Sequence, residues 1–315
     1  MKLLKLGISF LVSLILFASP FSCANSETIA IPDENLEQQL RIYVQRFGNT
    51  DEITADKMAF LENITLSDNS FTTLSGIEYC TNLNQLFFFR CQVQDITALS
   101  MLTNLTELKI DNIQLNDLSP LATLTKLTKL YLNDNKISDI SHLSSLTNLT
   151  KLYLNNNRIE QVSPLASLTK LNKLHISKNN IIDISSLSSL RELSWLALYD
   201  NKISDISPLS SMTNLRTLTA GKNLIEDVSS ISSLVNLTEV YLYDNKISDI
   251  SPLSSIPNLE VLNLSGNQIS NIYPLVENDY LETGDSIDLR DNPLSQESIN
   301  IYIPKLKDRG ISIRY

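Results

Sequence analysis

Leu146-Thr-Asn-Leu-Thr-Lys-Leu-Tyr-Leu-Asn-Asn-Asn157 spaces four leucines at 146, 149, 152 and 154 and ends on asparagine. Leu152 and Leu154 alternate with Tyr153, the period of a strand buried on one face. Steps of 22 residues from Asn157 reach Asn179, Asn201, Asn223, Asn245 and Asn267 forward, then Asn135, Ile113, Cys91 and Asn69 backward. One further unit, Ile287-Asp-Leu-Arg-Asp-Asn292, follows after a step of 25, so three residues are inserted near Glu277 to Gly284. About eleven units result. In a representative one, Leu124, Leu127, Leu130, Leu132, Ile137, Ile140 and Leu143 hold apolar columns around Asn135. A single unit cannot bury these columns by itself, so neighbours must stack, strand beside parallel strand, into one continuous core.

The asparagine column falls where the chain turns away from each strand. Its amide can satisfy backbone groups of adjacent turns, which makes the column framework and not a site. Asp95, Asp117, Asp139, Asp183, Asp205, Asp227 and Asp249 form a second column. Standing before Ile-Ser-Pro-Leu or its variants, each is expected to cap a short turn on the outer side, with calcium binding as the lesser reading. The template L-x-x-L-x-L-x-x-N/C-x-L is the leucine-rich repeat. The opening segment and Lys202-Ile-Ser-Asp-Ile-Ser-Pro-Leu209 resemble the bacterial 22-residue repeats of internalin-type surface proteins. The same repeat class occurs in cytosolic phosphatase-regulating leucine-rich proteins of eukaryotes. The resemblance spans residues 62–294. It implies an α/β solenoid: a leucine-rich-repeat horseshoe with a parallel concave sheet and short helical or irregular convex turns. It also implies recognition of a protein on the concave face. No C-terminal cell-wall sorting signal is evident, so wall attachment of the internalin sort is not expected.

An open stack would expose an apolar face at each end, and both ends read as caps. Over residues 25–61, Asp33 can cap a helix with Leu36, Leu40, Tyr43, Val44 and Phe47 at helical spacing before Gly48, and a shorter helix follows Thr54 through Met58 and Leu61. Over residues 295–315, Ser295 can start a helix with Ile299, Tyr302, Ile303 and Leu306 on one face, kinked or broken at Pro304, before an edge strand at Ile311 and Ile313. Residues 1–24 read as a secretory signal peptide: Lys2 and Lys5, an apolar run from Leu6 to Ala18, then small or turn-prone residues. Cleavage after Ala24 gives a secreted protein. Cleavage before Cys23 gives a lipid-anchored one, a lesser possibility because Pro20-Phe21-Ser22 is a weak match to lipoprotein signals. No later segment is apolar long enough to span a bilayer.

Composition narrows the function. The 315 residues are 43% hydrophobic, with 25 basic and 35 acidic side chains, for a net charge of −10. Removing the leader makes this −12, so nothing draws the chain toward nucleic acid. His142 and His175 are the only histidines. No nucleophile, base and acid occur as a set, no glycine-rich phosphate loop is present, and no Cys/His spacing fits zinc, so neither catalysis nor a cofactor is expected. Cys80 stands in a leucine column and Cys91 in the asparagine column; they read as packed thiols, with a disulfide as the alternative. Asn104, Asn148 and Asn236 open Asn-Leu-Thr triplets that match a glycosylation sequon but recur with the repeat.

The outward strand positions are left free by the framework. Of thirty such positions between Asn63 and Ser265, eight are aromatic: Phe87, Phe89, Tyr131, Tyr153, Trp195, Tyr199, Tyr241 and Tyr243. Against 7% aromatics in the whole chain, that excess marks the concave face as a binding surface. The competing explanation is that such rings suit strand surfaces and pack on one another. Thr217, Thr219 and Gly221 predict a low notch between Trp195 and Tyr199 on one side and Tyr241 and Tyr243 on the other. At about 4.8 Å per strand its walls would stand roughly 10 Å apart. His175 continues the tyrosine column, and Lys129, Lys151 and Lys173 form a basic stripe beside it, set for an acidic part of a partner or simply solvated. The reading is a non-enzymatic recognition protein for a protein partner, with a glycan-binding protein or a phosphatase-regulating scaffold as alternatives.

Overall fold

The computed structural model describes residues 27–47, 52–66 and 70–315. The leader with Cys23, and also Gly48, Ser67 and Asn69, lie outside the described residues. Twelve strands form one open parallel sheet in chain order. They are β1 (Asn63–Leu66), β2 (Gln85–Phe89), β3 (Glu107–Asp111), β4 (Lys129–Tyr131), β5 (Lys151–Tyr153), β6 (Lys173–His175), β7 (Trp195–Ala197), β8 (Thr217–Thr219), β9 (Glu239–Tyr241), β10 (Val261–Asn263), β11 (Ser286–Asp288) and β12 (Ser312–Arg314). From β1 to β10 the register repeats at 22 residues, as in Lys129↔Lys151 and Leu130↔Leu152. The inserted residues are absorbed before β11, where Val261 faces Ser286. Leucines and isoleucines from every unit join one core that runs the length of the stack. Burying each contributes roughly 1.5–3 kcal/mol, which is why the period tolerates so few polar intrusions.

Each unit turns outward through a residue in the left-handed region: Asp134, Asn156, Lys178, Asp200, Lys222, Asp244 and Gly266 all have φ between 51° and 65°. Asparagine, aspartate and glycine tolerate that region best. The following asparagine is buried and bonds across units. Asn157 Nδ2 donates to Leu132 O at 2.9 Å and Leu154 O at 3.0 Å, while its Oδ1 accepts from Ile137 N at 3.1 Å. Asn135, Asn179, Asn201, Asn223, Asn245, Asn267 and Asn292 repeat this pattern. On the convex side, 3₁₀ turns such as Ser185–Ser189 close each unit. Their entry is fixed by the aspartate column: Asp183 Oδ1 accepts from Ser185 N at 2.7 Å, and Asp95, Asp117, Asp139, Asp205, Asp227 and Asp249 do the same two residues ahead.

The N-terminal end is covered by α1 (Glu34–Val44), whose first-turn amides at Asn35 and Leu36 donate to Asp33 Oδ1. Leu36, Leu40 and Val44 are buried. Tyr43 does more than pack: its hydroxyl donates to Thr65 O and accepts from Thr65 N, both at 2.9 Å, closing the free edge of β1. Phe47 departs from the expected apolar face. It lies in a 3₁₀ turn beyond the helix, is 38% exposed and rests against Phe60 at 5.7 Å. A short helix α2 (Ala55–Ala59), capped by Thr54, follows.

At the other end α3 (Tyr273–Glu277) replaces the 3₁₀ turn and leads into the insertion. That insertion is held from inside by fully buried Asn278, which donates to Leu253 O and Ile256 O. Arg309 holds it from outside, donating to the carbonyls of Val276, Asn278 and Leu281. The expected break at Pro304 is a wide π turn at Ser298–Tyr302 giving way to α4 (Ile303–Asp308), because proline offers no N–H to continue the earlier turn.

Candidate binding face

The outward side chains of the strands stack across the sheet in register, so residues at equivalent positions meet at strand spacing. Tyr131 and Tyr153 are stacked with centroids 4.6 Å apart and planes at 12°. His175 continues the stack 4.6 Å from Tyr153, and Trp195, one position over on β7, lies 5.4 Å from His175. Four rings on four consecutive strands thus form one ladder, each contact worth roughly 0.5–1.5 kcal/mol. The rings are half-buried by one another. Both faces of Tyr153 and of His175 are covered by neighbours, leaving ring edges and polar tips toward solvent. The competing packing explanation of the aromatic excess is therefore realised in part.

Burial raises the hydroxyl pKa of Tyr131 and Tyr153 and lowers the imidazole pKa of His175, where Lys173 adds a like charge. The basic stripe is uneven. Lys129 Nζ pairs with Glu107 Oε2 at 2.9 Å, and Lys173 Nζ sits over the Trp195 ring at 4.6 Å. Lys151 lies between them with no carboxylate within ion-pair distance among the described residues. Phe87 and Phe89 flank this region as half-buried rings on β2, with Lys109 Nζ 6.0 Å from the Phe89 centroid.

The expected notch is not open. Tyr243 leans over Gly221, where an added Cβ would lie 2.7 Å from its ring, and reaches Tyr199 at 5.7 Å. Glycine's missing side chain is thus used by a neighbouring ring and not left for a ligand. Thr217 and Gly221 are buried, Thr219 is half-buried, and Tyr241 donates to Glu239 Oε2 at 3.4 Å. Burial and the Tyr199 contact push the Tyr243 hydroxyl up to about 12. The low ground lies further along, a depression of about 220 Å³ between Tyr241, Asn263, Ser286, Asp288 and Arg314.

Cys80 and Cys91 are free and buried, and burial raises the Cys80 thiol to about 12. Sequence reasoning missed a second asparagine ladder along the strand-entry edge. Asn82, Asn104, Asn148, Asn214, Asn236 and Asn258 each donate to the carbonyl 23 residues back. Their recurrence at multiples of 22 was the available signal, and three of them are the sequon asparagines. Among the described residues no group of three or more His, Cys, Asp or Glu side chains could hold a metal ion, and no helix is long and apolar enough to cross a membrane.

The family of Leucine Rich repeats (2 copies) matches residues 103–145, 125–167, 147–192, 191–233 and 235–277. No curated protein matches the chain. Among solved structures, an internalin (InlF) from Listeria monocytogenes is 32% identical, covering 90% of this chain and 91% of that one at a TM-score of 0.77. Internalin InlC2 from the same species is 36% identical over 69% of this chain and 100% of that one, with a TM-score of 0.64. The repeat ectodomain of a plant membrane receptor kinase from Arabidopsis thaliana shares the fold alone, at 18% identity over 83% of this chain and 39% of that one and a TM-score of 0.55. Repeat pattern, sheet and these likenesses agree: the chain belongs to the internalin-like leucine-rich repeat proteins of bacteria.

Proposed function

We propose that this chain is a non-enzymatic, secreted or cell-surface recognition protein that binds a protein partner through the ring ladder of its concave face. The observation that carries the reading is the unbroken run Tyr131, Tyr153, His175 and Trp195, prearranged on four rigid strands. Aromatic side chains already held by their neighbours lose little freedom on binding, and Tyr and Trp are the usual anchors of protein interfaces. A glycan-binding role needs free ring faces for sugars to stack on. The inner two rungs offer none. Export rests on the leader at residues 1–24. The intact mass of the mature chain tests it, a start at Asn25 meaning release and a lipid-modified Cys23 meaning an anchor.

The binding test is capture from extracellular and cell-surface material by the mature protein beside a Tyr153→Ala, Trp195→Ala variant checked for unchanged folding by circular dichroism. The reading expects a protein retained by the first and lost by the second. Retention of the same species by both would move the site to the convex turns or the caps.

A further inference from the structure

We infer that the partner of the concave face presents an acidic peptide segment, with a carboxylate seated at Lys151. The inference rests on the concave-face reading and narrows it to one ligand chemistry.

Lys129, Lys151 and Lys173 stand in register on β4, β5 and β6. In-register neighbours are about 4.8 Å apart, a repulsive arrangement for three ammonium groups. The outer two lean in opposite directions, Lys129 back to Glu107 on β3 and Lys173 forward onto Trp195 on β7. That splay leaves the central ammonium of Lys151 without an internal counter-charge. On the same face the Tyr131 and Tyr153 hydroxyls, nearer to Lys129, make no hydrogen bond within the described residues, whereas Tyr241 donates to Glu239 and Tyr43 serves Thr65. An unpaired ammonium and two hydroxyls free to donate thus lie on one face of β4 and β5, and they suit a segment whose acceptors carry negative charge.

Two features of the chain disfavour extended polyanions, nucleobases and sugars. With a net charge of −10 it repels polyanions, so attraction is local to this patch. Nucleobases and sugars bind by stacking on ring faces, and those of Tyr153 and His175 are covered. A peptide needs no such face. It can lay aliphatic carbon along the ring edges while Asp or Glu reaches Lys151 and the tyrosine hydroxyls.

The probe is a displayed library of random twelve-residue peptides, selected on the full chain and in parallel on Lys151→Glu and Trp195→Ala. The expected result is a pool from the unaltered chain at least twofold enriched in Asp and Glu over the input, with the enrichment lost on Lys151→Glu. A peptide from that pool is then titrated against the fluorescence of Trp195, the only tryptophan in the chain. Lys151→Ala should weaken it roughly tenfold, the loss of one charge-assisted bond. Lys126→Ala, an edge lysine donating to Asn104 Oδ1, is the control and should leave it unchanged. Neutral or basic peptides from the unaltered chain, no recoverable peptide, or equal acidic enrichment on Lys151→Glu would each overturn the inference. Peptides kept by Lys151→Glu but lost by Trp195→Ala would refute the acidic segment and leave the concave-face reading standing; peptides kept by both variants would sink the two together.

Discussion

Replacing Asn201 with alanine should destabilise the solenoid by roughly 3–5 kcal/mol. The figure follows from what the amide holds. Its Oδ1 accepts from Ile181 N at 3.1 Å, and its Nδ2 donates to Ile176 O at 3.1 Å and Leu198 O at 3.0 Å. The two carbonyls are shared: Asn179 also reaches Ile176 O, and Asn223 also reaches Leu198 O. Each therefore keeps one partner and loses about 1 kcal/mol. Among the described residues the Ile181 N–H has no second acceptor, and a buried orphan donor costs about 1–3 kcal/mol. Urea unfolding followed by Trp195 fluorescence and by far-ultraviolet circular dichroism measures the loss. Two probes are needed because a stack of repeats can open at the wounded interface before it melts as a whole. The matched control is Asn236→Ala, which removes one exposed bond of 2.7 Å to Thr213 O and should cost about 1 kcal/mol or less. Equal losses for the two substitutions would show that water replaces the inner amide, and the claim that this ladder ties one unit to the next would be wrong.

Gly221→Ala places a methyl 2.7 Å from the Tyr243 ring, so the ring must swing off Tyr199. The expected cost is about 1 kcal/mol with an altered near-ultraviolet circular dichroism band, and an unchanged band contradicts the described packing. His175 has a folded-state pKa lowered by burial and then by Lys173. The unfolded chain therefore binds more protons through that window, and stability is full above the ordinary value near 6.5 and declines as pH falls below it. His175→Gln should flatten melting temperature between about pH 7 and pH 5; a slope retained in that variant assigns the titration elsewhere. Asp95, Asp139, Asp183 and Asp227 are lowered mainly by hydrogen bonds from the residue two ahead. Their contribution is present above the ordinary carboxylate value and lost as pH falls through the lowered ones. Replacing all four with serine should flatten the melting curve below about pH 4 and leave its shape near pH 7 alone.

Most of the fold was legible because the period ties each residue to a position in space. Leu130 and Leu132 had to point inward once Asn135 marked the turn, and Asp33 had to cap a helix once Leu36 and Leu40 needed covering. The left-handed turn was legible in principle as a column of Asp134, Asn156, Asp200, Asp244 and Gly266, although Lys178 and Lys222 interrupt it. The face was less legible, because a register fixes backbones and says little about which way a side chain leans. Tyr243 and Gly221 share a strand-exit position on neighbouring units, yet the ring fills its neighbour's space because nothing stands there to stop it. The lysine stripe misled in the same way. Three identical residues in one column have three different surroundings, set by Glu107 on one side and Trp195 on the other.

That asymmetry also decides which part of the face is available to a partner. Among the described residues every buried side-chain nitrogen and oxygen has a hydrogen-bond partner, and the turns use their asparagines, aspartates and serines on the chain itself. A solenoid built this way has few polar groups to spare, and those it spares are conspicuous. Toward the C-terminal end Tyr241 is committed to Glu239, Tyr243 to Tyr199, and Asp288 to Arg290 at 2.5 Å. Between β4 and β7 Lys129 is committed to Glu107, Lys173 to Trp195 and Asn155 to Asn133, while the Tyr131 and Tyr153 hydroxyls and Lys151 keep their donors. A partner docking at the C-terminal half would first have to break internal contacts. One docking at Lys151 and the two tyrosine hydroxyls would break no internal hydrogen bond of theirs, so affinity per contact should be highest there.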